Sequence, residues 1–150
     1  MKHLICIAAA MAFAAPSNLS AHCQVPCGIY DDDNVIGSLR TDHTTIAKAC
    51  TEIVALSKDP SANAQQIVRW TTNKESHAQA VQDKVLNYFL AQRLKLPETD
   101  ADKPAYMEKL ALCHEIIVTA MKCKQSTDPA NAEKLGTLLD SFAKQFGTKK

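Results

Sequence analysis

Residues 128–147, DPANAEKLGTLLDSFAKQFG, decide the fold. The apolar positions Ala132, Leu135, Leu139, Phe142 and Phe146 alternate by three and four, which lines one face of an α-helix and makes the seam of an antiparallel bundle. Asp128 suits an N-cap, Pro129 the first helical position and Gly147 the stop, so the segment predicts a helix over 129–146.

Working outward, the same punctuation recurs. Asp59-Pro60 ends a helix predicted over 34–57 and opens another predicted over 61–95, which stops before Pro97. At 1.5 Å per residue the second would be about 50 Å long. Lys103-Pro104 opens a third, to about Lys124. The first helix carries Leu39, Ile46, Cys50, Ile53 and Leu56 along one stripe. No run alternates with period two, and no repeat or low-complexity tract interrupts the pattern. The fold class expected is all-α: an up-down four-helix bundle (34–147) behind a non-helical arm, residues 22–33.

Composition agrees. A chain of 150 residues is one domain's worth, and 4 Gly with 5% aromatics disfavours a sandwich or barrel full of tight turns. Seventeen Lys+Arg against 16 Asp+Glu leave a formal charge of +1, which argues against nucleic acid or a membrane surface as partner.

Residues 1–21 read as a leader. Lys2 supplies a positive start, Leu4 to Ala15 is continuously apolar but too short to span a bilayer, and small residues follow. Cleavage before Ala15 and cleavage before His22 compete. The mature product is expected to carry no membrane segment and to be exported, to the periplasm or outside the cell. Cleavage before His22 removes Cys6 and leaves Cys23, Cys27, Cys50, Cys113 and Cys123. An odd number in an exported chain calls for a free thiol, a metal ligand or an intermolecular bridge.

Two seams carry polar residues. In the second helix the row Ile67, Trp70, Lys74, His77, Val81, Val85, Tyr88 is polar in its middle; in the third, Met107, Leu110, His114, Ile117, Met121 includes one histidine. These read as solvated positions on a bundle edge or, for Lys74 and His77, as a subunit contact or a seat for the arm.

The arm carries the chemistry: His22-Cys23-Gln24-Val25-Pro26-Cys27-Gly28-Ile29-Tyr30. Cys-x3-Cys by itself fits a disulfide, half a zinc site or neither. With His22 as the mature N-terminus, however, four donors fall within two residues: the α-amine, the imidazole, and the amide and thiolate of Cys23. Amine and amide close one five-membered chelate ring; the Cys23 amide and thiolate close the next in the same plane. Pro26 favours a turn that returns the Cys27 thiolate to the fourth corner. Such an N2S2 plane suits Ni(II) or Cu(II) rather than tetrahedral Zn(II).

His-Cys-x-x-Pro-Cys-Gly-x-Tyr, behind a removable leader and ahead of four helices, closely resembles the nickel-containing superoxide dismutase family. The resemblance implies one nickel per subunit, bound by the His22 amine and imidazole, the Cys23 amide and thiolate and the Cys27 thiolate. It implies dismutation of superoxide, Tyr30 as the tyrosine gating the site, Tyr88 as the second tyrosine that hydrogen-bonds it, and Arg69 as an arginine near the hook. It also implies a homohexamer, and factors that insert nickel and process the leader. The family's supporting glutamate and second arginine appear here as Ser38 and His77, and Gln24 replaces an aspartate whose backbone N–H faces the site.

The chemistry is consistent with that resemblance. Dismutation needs a potential between the two superoxide half-reactions, and thiolate and amide donors bring nickel into that window. The backbone N–H groups of Gln24 and Cys27 could hold a small anion. Cys50, Cys113 and Cys123 read as core thiols; Cys113 and Cys123, about 15 Å apart along one helix, cannot bridge. The competing expectation is an exported helical metal-binding or redox protein with a Cys23–Cys27 disulfide and no catalysis.

Overall fold

The structure, a computed structural model, describes residues 32–147. The leader and the expected site residues His22, Cys23, Gln24, Cys27 and Tyr30 lie outside the described residues.

Four helices follow in order: α1 Asp32–Leu56, α2 Pro60–Asp83, α3 Lys103–Gln125 and α4 Pro129–Phe146. Each packs on the next and α4 packs back on α1, so the ring of an up-down bundle is closed. Among the described residues there is no strand. No helix there is long and apolar enough to cross a membrane.

Both Asp-Pro starts form as read. Asp59 accepts the Ala62 N–H at 3.1 Å and Asp128 that of Ala130 at 3.0 Å, each with a proline in the first turn behind it. The Gly147 N–H closes α4 on the Ala143 carbonyl at 2.9 Å. The predicted seam of α4 is the one used: Ala132, Leu135, Leu139 and Phe142 are buried, and Phe146 packs against the core.

Three expectations need correction. The arm is shorter than read, because Asp32 and Asp33 already form the first turn of α1, where carboxylates meet the positive end of the helix dipole. The second helix is not α-helical to residue 95: it turns into a π-helix over Lys84–Arg93 and ends there, with Leu94 extended and its N–H on the Phe89 carbonyl at 2.8 Å. The row assigned to α3 is also the wrong one. Met107, His114 and Met121 face solvent, while Cys113, Ile116, Ala120 and Cys123 enter the core. Both rows have helical spacing and lie about 100° apart round a helix that is apolar on several sides, so periodicity could not choose between them.

Lys74 also departs from its expected place. It is 2% exposed, and its Nζ donates to the carbonyls of Cys123 and Lys124, each at 2.5 Å, and of Ser126 at 3.3 Å. It is not a solvated edge position; it caps the C-terminus of α3, where carbonyls lack intrahelical partners.

Candidate active site

The end of the bundle where α1 begins is where the arm joins it, and there one carboxylate gathers two side chains through three hydrogen bonds. Asp32 Oδ1 accepts the Tyr88 hydroxyl at 2.7 Å. Its Oδ2 accepts Arg93 Nε at 3.0 Å and Nη2 at 2.6 Å. Tyr88 is 4% exposed and the Asp32 side chain 12%, so the bond between them is partly shielded from water, whereas the two from Arg93 are exposed. Charge-assisted bonds of this kind are about twice as strong as neutral ones.

The π-helix makes this convergence possible. On an α-helix, residues five apart point about 140° away from each other. The wider π turn hydrogen-bonds each residue to the fifth one along and so stacks them. Tyr88 and Arg93 are five apart within Lys84–Arg93, and both reach the same aspartate.

Below the phenol lies an aromatic floor. Phe89 meets Tyr88 edge-on at 4.8 Å, Phe142 at 4.5 Å and Phe146 at 5.2 Å. Lys109 sits over the Phe146 ring at 5.3 Å. Arg93 also borders, with Lys95, Tyr106 and Lys109, an open groove of about 370 Å³. The tyrosine thus stands on an apolar base of packed rings, beside a groove lined by both cationic and acidic side chains, Glu98 and Asp102 among them.

His77 belongs to a different cluster. Its Nδ1 donates to Asp42 Oδ1 at 2.8 Å, while Lys84 Nζ holds Asp42 Oδ2 at 2.5 Å. Asp42 is buried; Lys84 compensates its charge and His77 gives it a hydrogen bond. Ser38 lies half-buried one turn earlier on α1, so the carboxylate opposite His77 is supplied by Asp42 instead. Arg69 is exposed on α2, nineteen residues before Tyr88 or roughly 28 Å along the helix. Within one chain Arg69 and Tyr88 do not meet.

Asp32 and Asp42 were both missed in the sequence. Asp42 had a signal: it fills the gap between Leu39 and Ile46 on the buried stripe of α1, where a charge needs partners. Asp32 had only its place in a run of three aspartates at the arm's end.

The cysteines of the bundle are core residues, as expected. Cys50, Cys113 and Cys123 are buried and free. Burial pushes the Cys113 thiol up to about 11; it pushes Cys123 to about 11 as well, with Cys50 adding to the rise and Lys74 opposing it. Thiols held protonated are poor metal ligands. Among the described residues no group of three His, Cys, Asp or Glu side chains could hold a metal ion.

The sequence profile of the family described as nickel-containing superoxide dismutase matches residues 17–150. The chain belongs to that family. The match takes in the arm as well as all four helices of this nickel-containing superoxide dismutase family member. The superoxide dismutases, named as nickel enzymes, of Streptomyces coelicolor and Streptomyces seoulensis are each 29% identical to it over 126 residues, 81% of this chain and 82% of theirs. No solved structure matches the chain significantly. Nickel is the family's metal, and the arm's sequence offers donor types that suit it, two cysteine sulfurs and an imidazole.

Proposed function

We propose that this chain is an exported nickel superoxide dismutase whose metal is held by the arm, through the His22 amine and imidazole, the Cys23 amide and thiolate and the Cys27 thiolate. It is an oxidoreductase acting on superoxide, and two superoxide ions and two protons become dioxygen and hydrogen peroxide. Nickel, when bound, supplies the Ni(II)/Ni(III) couple for one-electron exchange with superoxide.

The protein's own residues supply the rest. The observation that carries this reading is the hydrogen bond from Tyr88 to Asp32. Five peptide units separate Cys27 from Asp32, at most roughly 17 Å of chain, so that bond ties the ligand segment to the bundle beside Tyr88. Tyr88 and Tyr30 then wall a pocket that admits a small anion and excludes larger molecules. The backbone N–H groups of Gln24 and Cys27 offer that anion its donors. His77 and Arg69 stand roughly 16 Å and 28 Å up α2 from Tyr88, so any role for them near nickel involves other parts of the arm or a neighbouring subunit of a hexamer.

The test begins with N-terminal sequencing of the mature protein. A start at His22, about one nickel per chain, and loss of both nickel and dismutase activity in Cys27→Ser are expected. A mature chain starting at Ala15, with its amine displaced from the hook, or an active Cys27→Ser variant, would overturn the proposal.

A further inference from the structure

Asp32 is the most heavily engaged carboxylate at the arm's end of the bundle, and it lies on neither of the polar rows legible in the sequence. One of its oxygens takes the Tyr88 hydroxyl; the other takes two nitrogens of Arg93. Each carboxylate oxygen therefore has its own partner, Oδ1 the phenol and Oδ2 the two guanidinium nitrogens, and together these bonds restrict its rotation. The phenol it accepts from is fixed in turn against Phe89. Asp32 is also the first residue of α1, so the point where the arm leaves the bundle is locked by the same bonds.

We infer that Asp32, braced by Arg93, is a positioning residue: it sets the orientation of Tyr88 and the root of the metal-binding arm as one unit. Its catalytic consequence rests on the dismutase reading above; its structural core does not. The π-helix is part of the device, because only its wide turns bring Arg93 and Tyr88 to one carboxylate. A merely local role is the alternative: an acidic residue in the first turn of a helix is favoured there by the helix dipole, whatever lies opposite.

A double-mutant cycle separates the two, using the full mature chain with Asp32→Ala, Tyr88→Phe and the pair. Two quantities are read: the urea midpoint, with and without nickel, and dismutase turnover per bound nickel. Acting through Tyr88, Asp32→Ala lowers turnover about tenfold in the native background, the scale of one hydrogen bond to a charged group, and lowers it no further once Tyr88 is phenylalanine. The urea midpoints are likewise non-additive. Arg93→Gln, at a partly exposed position that leaves the core intact, lowers turnover in the same direction, and Arg93→Lys restores part of it. Additive effects in both readouts overturn the inference and leave Asp32 a helix-start charge. A wild-type chain without dismutase activity overturns the dismutase reading, while the urea cycle still decides whether Asp32 and Tyr88 are coupled.

Discussion

Lys74 on α2 donates its side-chain nitrogen to the main-chain carbonyl of Cys123, 2.5 Å away at the end of α3. A long flexible cation in the middle of a helix has become the cap of another helix. Two further carbonyls share the same nitrogen, so three acceptors depend on one side chain. Lys74→Met keeps the volume and removes the donor. It is expected to cost roughly 2–4 kcal/mol, because buried carbonyls are left unsatisfied. Urea denaturation followed by circular dichroism measures the loss; a cost below about 0.5 kcal/mol, the usual range of a surface change, would show that water replaces the lysine.

Phe89 is fully buried and touches three other aromatic rings. Phe89→Ala is expected to destabilise the bundle by about 3–5 kcal/mol, from lost transfer energy and the cavity left behind. Phe89→Leu should cost less than half of that. Thermal melts of the two variants side by side check the order.

Asp42 is compensated by Lys84 and hydrogen-bonded by His77. Asp42→Ala removes the acceptor shared by His77 and Lys84, both of them partly exposed, and is expected to cost about 1–3 kcal/mol. His77→Gln, which keeps a donor toward Asp42, should cost much less. Equal destabilisation in the two variants would contradict this account of the cluster.

The buried thiols give a pH signature. Cys113 and Cys123 stay protonated to about 11 in the folded chain, against an ordinary value of 9.0. Between those values the unfolded chain has released protons that the native state retains, so stability falls as pH rises from about 9 toward 11. Stability should be indifferent to these groups below that window. Urea titrations at pH values across it measure the slope, and Cys113→Ala with Cys123→Ala should flatten it. In a mature chain carrying Cys23→Ser and Cys27→Ser, a thiol reagent should find no reactive cysteine at neutral pH until the protein unfolds.

Much of the bundle was legible because its signals are local. Asp59-Pro60 and Asp128-Pro129 start helices through bonds made within three residues, and the seam of α4 needs only a period of 3.6. The buried row of α3 was not legible, because two apolar rows compete there and only the neighbouring helices choose one.

By itself the sequence determined the class of fold and the two Asp-Pro helix starts. The tertiary structure alone decided what the polar seam residues do: Lys74 caps α3 and His77 pairs with Asp42. It also brought Asp32 to Tyr88 and Arg93, partners 56 and 61 residues further along the chain. The physical reason is range. Capping and periodicity act over a few residues, whereas the partner of a buried charge is whichever group packing delivers, and here a π-helix that no local propensity announces delivers two at once.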